Sequence, residues 1–278
     1  DSRIAYSTAK FEAPAEQESQ ANALNSILDK FAIKSFGSHF DSKPGQIKKR
    51  VLAAPSSLGI AVSAEFAHAG FVQIVPKNPK DSRKLAQLLN KSKSVWKAVV
   101  APRPEPPGGV PPEMASGTSK GSRNFEPSQG YLHSPPNGIG AMAVWPTPGG
   151  KGKGVTICDI EGNWNFSHED LPAGITLIGG TVIPDLGWRN HGTAVLGEMV
   201  SVPGDIGTVG ISHQAKAVVH SAMIGGVFNA AGAIANATSK LKAGDVILIE
   251  LHAPSPENGQ YVAMQRWDDV FSAILAAT

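Results

Sequence analysis

Pro102, Pro104, Pro106, Pro107, Pro111 and Pro112 crowd one short stretch of the sequence, and a Gly- and Ser-rich run over 116–122 follows them. Proline cannot supply the amide donor that helices and strands require, and glycine and serine bring no large apolar side chain to a core. The stretch therefore reads as an exposed linker. A chain of 278 residues interrupted there is expected to form two bodies. The expected segments are a module over 1–105, a linker over 106–125 and a larger domain over 126–278.

Ahead of the linker, Leu24, Ile27, Leu28 and Phe31 recur at helical spacing behind Pro14, which predicts an amphipathic helix over 16–31. Phe71-Val72-Gln73-Ile74-Val75 has the composition of a strand, and Asp81 is placed to cap a helix with Leu85, Leu88 and Leu89 on one face. Val95, Trp96, Val99 and Val100 predict a second strand. Helix, strand, helix, strand implies a small α+β module of the ferredoxin-like kind, two helices on one antiparallel sheet.

Beyond the linker the expected strands are 155–159, 217–223 and 246–251. A helix starting near His191 would turn Val195, Leu196, Met199 and Val200 inward. A second helix over 227–243 carries Ile234 and Leu241, and a last one carries Trp267, Val270, Phe271, Ile274 and Leu275. Strands alternating with helices predict an α/β fold with a doubly wound, mainly parallel sheet, and such sheets gather reactive groups at the carboxyl ends of their strands.

Apolar residues make up 41% of the chain and charged ones 17%, a globular composition. The net charge is +2 and the basic residues are scattered apart from Lys48, Lys49 and Arg50, so nucleic acid is not an expected partner. No run approaches the roughly 20 apolar residues of a membrane-spanning helix. The start of the sequence lacks the basic-then-apolar pattern of a signal, so a secreted or periplasmic chain would have lost its signal already. Cys158 is the only cysteine, which excludes an intrachain disulfide and a zinc site built on several thiolates.

Asp159 closes the apolar run Val155-Thr156-Ile157-Cys158, and His191 opens the run His-Gly-Thr-Ala-Val-Leu-Gly on an apolar-faced helix. The positive end of a helix dipole would keep that imidazole neutral, as a general base must be. A carboxylate on one ring nitrogen would fix the tautomer and stabilise the imidazolium formed when the other nitrogen takes a proton. The expectation is therefore that Asp159 and His191 meet in one crevice.

These segments resemble the subtilisin-like serine peptidases. Gly154 to Leu171, an apolar strand, an acid, a short loop and His-Glu-Asp-Leu, is similar to the aspartate segment of that family. Asn190-His-Gly-Thr-Ala-Val-Leu-Gly197 is similar to its His-Gly-Thr-His-Val-Ala-Gly helix, with Ala194 in place of the second His. Gly210 to Val219 resembles the strand that follows, and Asp245 to Leu251 takes the place of the strand that pairs with substrate backbone. The resemblance implies a subtilisin-like catalytic domain, incomplete over 126–278, hydrolysing peptide bonds with an Asp/His/Ser triad. It makes Asp159 and His191 the catalytic pair and assigns substrate contacts to Glu250, Leu251 and His252. Glu161 stands where the family carries small residues, and is expected to shape specificity. The N-terminal module would be a prodomain covering the cleft with its last strand and tail, 95–107.

In the family the serine follows in a Gly-Thr-Ser-Met-Ala helix start, and no Ser after His191 sits in such a motif. The nucleophile is thus expected outside this sequence, on a second chain or a missing half. Ser116-Gly-Thr-Ser119 imitates the motif but lies in the linker, before the acid. Gly149-Gly-Lys-Gly-Lys-Gly154 precedes a strand, where a phosphate-cradling loop would follow one. His168, Glu169 and Asp170 belong to a turn, no cofactor is expected, and calcium is suggested by the family alone. The expected partner is a protein or peptide substrate. The competing reading is a non-catalytic protein that keeps the cleft for peptides or sugars.

Overall fold

The computed structural model describes residues 5–7, 10–12, 18–38, 71–95, 97–105, 123–255 and 257–278. Pro14, Trp96 and the linker over 106–122, with Ser116-Gly-Thr-Ser119, lie outside them. The chain divides into two compact units, Asp1–Pro102 with Trp267–Thr278, and Arg103–Arg266. The break between the units follows Pro102, inside the Pro-rich stretch, and the last helix groups with the first unit.

In the first unit, β1 (Ala5–Ser7) and β2 (Lys10–Glu12) form an antiparallel hairpin. Helix α1 (Glu18–Leu28) buries Ala21, Leu24 and Leu28. Strands β3 (Ile33–Ser38) and β4 (Val72–Pro76) pair antiparallel. Helix α2 (Ser82–Leu89) buries Leu85 and Leu89 against Leu24 and Leu28, with Ile27, Phe31, Ile33, Ile74 and Val95 around them. One expectation holds in part and one fails. Asp81 is the N-cap residue of α2, but its side chain makes no capping bond. Val95 and residues 97–100 form no strand, because Val99 and Val100 face solvent while Asn90 holds Ala98 through bonds of 2.7 Å to its amide and its carbonyl. The partner of β4 is β3.

The second unit is a mixed α/β fold around a four-stranded parallel sheet of order β10-β5-β7-β6. Strand β5 (Thr156–Glu161) is central, and β6 (Thr176–Gly179) is an edge strand. Helix α3 (Leu186–Val200) leads into β7 (Lys216–Ser221). Two short strands, β8 (Met223–Ile224) and β9 (Val227–Phe228), precede helix α4 (Ala230–Lys240). Strand β10 (Val246–Ile249) is followed by a hairpin of β11 (His252–Pro254) and β12 (Tyr261–Ala263). Helix α5 (Asp268–Ala277) belongs to the first unit, where Asp268 pairs with Lys97 at 2.6 Å. Strand β6 and the hairpin were not expected.

Period two explains the layers. On one face Ala217 and Val219 of β7 pack with Leu196 and Val200 of α3, Trp164 and Leu171. Register places Asp159 opposite Val219 and Glu161 opposite Ser221, so both acids share that face. Cys158, Ile160, Val218 and His220 point the other way and are equally buried. Helix α4 supports that face with Ala231, Ala233, Ile234 and Ala237, small residues that let a helix approach a sheet closely. At the edge, register shifts between Leu177 and Gly179, and the Lys240 ammonium donates to the carbonyl of the intervening Ile178.

Candidate functional site: a buried acid and imidazole at the end of the central strand

Strand β5 runs two residues past Asp159, and its final residue, Glu161, is the one that reaches the imidazole. Glu161 Oε1 lies 2.7 Å from His191 Nδ1, with the Glu161 side chain fully buried and that of His191 10% exposed. The N–H direction is not aligned on the oxygen, so the contact is a close ion-pair approach rather than a linear hydrogen bond. Among the described residues nothing hydrogen-bonds Nε2, the other ring nitrogen, and it is not one of the sealed polar atoms.

Asp159 does not meet His191. Its Oδ2 accepts from the Trp164 indole Nε1 at 2.7 Å, and its Oδ1 is buried without a partner. The acid expected beside the imidazole is one pleat too deep. Glu161, expected to shape specificity, is fully buried and is the acid beside the imidazole. The missed signal was periodicity: residues 159 and 161 share a face, and the outer one lies nearer the carboxyl end of the strand.

Neighbouring elements hold this geometry. Asp185, the N-cap of α3, accepts from the Trp188 amide at 3.0 Å. The helix therefore starts at Leu186, and His191 lies in its second turn, outside the reach of the dipole that was expected to keep it neutral. Gly162 lies under Trp188, where a Cβ would come within 2.5 Å of the ring. Gly192 lies under the loop after β5, where a Cβ would come within 2.4 Å of Asn163 O and 2.8 Å of the Trp164 ring. Asn165 N donates to Thr193 Oγ1 at 2.8 Å, which ties the loop to the helix next to that glycine.

The electrostatics follow from burial. For His191, desolvation disfavours the imidazolium, but the Glu161 contact and the charges of Glu161, Glu250 and Glu198 outweigh it and raise the pKa. Burial raises that of Glu161, opposed by His191 and the Gly162 amide and assisted by Glu250. Asp159 is held well above its ordinary range by burial and then by Glu161, with Glu250 adding to the rise and the indole bond opposing it. The Cys158 thiol is pushed up to about 12 by burial and by Asp159, an unreactive group.

The remaining expected residues divide. Glu250 follows β10, is half-buried, and its charge acts on Asp159, Glu161 and His191. Leu251 is buried, which leaves no room for its side chain to touch a substrate. His252 lies on β11 with its ring 4.4 Å from that of Tyr261, and its carbonyl accepts from Glu105 N at 3.1 Å. Ser221, opposite Glu161 in register, is no free nucleophile: its hydroxyl is buried and donates to Thr181 O at 2.7 Å. His168, Glu169 and Asp170 lie in the expected turn, with Asp170 buried and accepting from the Thr208 amide and hydroxyl.

Among the described residues no group of three or more His, Cys, Asp or Glu side chains is arranged to hold a metal ion. No helix among them is long and apolar enough to cross a membrane. No protein-family model matches the chain, and no curated protein matches it in sequence.

Proposed function

We propose that the chain carries the acid and base of a subtilisin-type serine endopeptidase, Glu161 and His191, with the nucleophilic serine supplied from outside the sequence. The observation that carries this reading is the 2.7 Å approach of Glu161 Oε1 to His191 Nδ1 at the end of a central parallel strand. Glu161 orients the ring and stabilises the imidazolium, and Nε2 takes the proton of a serine hydroxyl as it attacks a peptide carbonyl. The same proton then goes to the leaving amine, and a water repeats the cycle on the acyl-enzyme.

Further support comes from the hairpin after β10. Glu105 pairs antiparallel with His252, two residues beyond Glu250, whose charge acts on His191. One residue of the Pro-rich stretch thus bridges His252, a residue to which substrate contact is assigned. A prodomain whose tail fills the cleft until it is cut, and an extracytoplasmic location, belong to the same proposal.

The test is a serine-directed phosphonate applied to the complete protein, with intact masses read for every polypeptide present. One phosphonyl adduct on a serine of the completing segment or a companion chain is expected, and Glu161→Gln should slow its formation about 1,000-fold or more. No adduct in a folded, complete sample overturns catalysis and leaves a protein that only binds peptides.

A further inference from the structure

The contact between Glu105 and the hairpin is more specific than backbone pairing. Glu105 bridges His252 on one side of β11, and His252 pairs with Ala263 of β12 on the other. Directly opposed residues point to one face, and Tyr261, two residues before Ala263, shares it. That face carries the Glu105 carboxylate, the His252 ring and the Tyr261 hydroxyl, which donates to Glu105 Oε2. Its neighbour Pro104 is fully buried. A sunk proline next to an acid held by side-chain contact fits the way a sheet edge reads an extended peptide, with backbone pairing for affinity and pockets for selected side chains.

We propose that the outer edge of β11 is a peptide subsite selecting an acidic residue preceded by a small apolar one, with Tyr261 as the acid-reading donor and His252 as its neighbour. This rests on the peptidase reading for its meaning as substrate specificity, and the segment seated there is the chain's own Pro104-Glu105. A glutamate accepts the phenol hydrogen bond with full charge, whereas glutamine accepts it as a neutral amide. Lysine or arginine at that place would present donors to a donor. The ligand class is therefore an extended peptide with Glu or Asp at the position whose amide donates to His252 O.

The experiment uses the full chain carrying Glu105→Arg, which disables its own occupant, and three fluorescent peptides: residues 101–108 with Glu, Gln or Arg at position 105. The Glu peptide should bind at least about fivefold more tightly than the Gln peptide, the scale of one charge-assisted hydrogen bond at a partly exposed site. Tyr261→Phe should abolish the difference. Equal affinities, or a preference that survives Tyr261→Phe, overturn the proposal. Should no peptide bind, amide exchange at residue 105 decides. Faster exchange in Glu105→Gln and in Tyr261→Phe, with protection restored by Glu105→Asp, supports the acid-reading contact, and unchanged protection overturns it. None of these measurements requires turnover. A chain that prefers the acidic peptide yet never forms a phosphonate adduct keeps the subsite and loses the peptidase, and the converse pair of results does the opposite.

Discussion

At the scale of single residues, one methylene and one pleat decide which acid serves the imidazole. Asp159 and Glu161 face the same way, but the deeper carboxyl is claimed by the Trp164 indole and the outer one reaches His191. Replacing Glu161 by Gln removes the leading contribution that raises the His191 pKa and leaves desolvation acting against the charged ring. The imidazole should then titrate at lower pH, which ring-nitrogen NMR would follow, whereas Asp159→Asn should move that titration far less because Asp159 is not among the groups whose contact or charge raises the ring's pKa. An equal downward shift in both variants would contradict Glu161 as the imidazole's principal partner. The sequence pointed to the right strand and the right helix. It paired Asp159 with the imidazole because the apolar run reads as ending there, whereas Ile160 continues it and places Glu161, the acid found beside His191, on the same face.

Among the elements, α3 and the loop after β5 form the part of the site least tolerant of change. Gly192 and Gly197 lie on the same helix but in opposite surroundings. A Cβ at 192 meets a carbonyl and an indole, and one at 197 meets nothing within 4 Å. Gly192→Ala should therefore destabilise the second unit by about 1–3 kcal/mol through overpacking, while Gly197→Ala should be neutral or stabilise by up to about 1 kcal/mol through helix propensity. Thermal unfolding of the two variants would separate them, and similar losses in both would remove the packing argument. Helix α1 was legible from its apolar stripe and β7 from its continuous apolar run, whereas α3 was legible only in its second half and starts five residues ahead of His191. Strand β6 was not, since Thr176 and Leu177 face solvent at a sheet edge and leave no alternation to read. The hairpin after β10 escaped because each strand has three residues and its stabilising contacts lie between side chains distant in sequence. Residues 97–100 misled in the other direction, since β-branched residues there lie exposed in an extended run with no partner strand.

For the whole molecule, the buried titratable cluster makes stability depend on pH in one direction. Asp159, Glu161 and His191 all have folded pKa values raised above their ordinary ones. Groups of this kind contribute stability that is fully present below the unfolded pKa and is lost as pH rises through the folded value. For the carboxyls the loss begins near the ordinary range, about pH 4. Asp159→Asn cannot ionise, so its stability relative to the parent should grow as pH rises from there. Native-state hydrogen exchange of the β5 amides would measure it, and parallel profiles for the two proteins would contradict the burial argument.

The bulge at the outer rim of the parallel sheet has a bearing on how molecules meet. An open strand offers its carbonyls to any passing chain, and Ile178 stands out of register at that rim. The Lys240 ammonium occupies that acceptor and leaves a positive charge where a second copy would have to dock. Lys240→Ala should leave the monomer folded yet make it self-associate at high concentration, a change that sedimentation would reveal as the loss of a guard against edge-to-edge stacking.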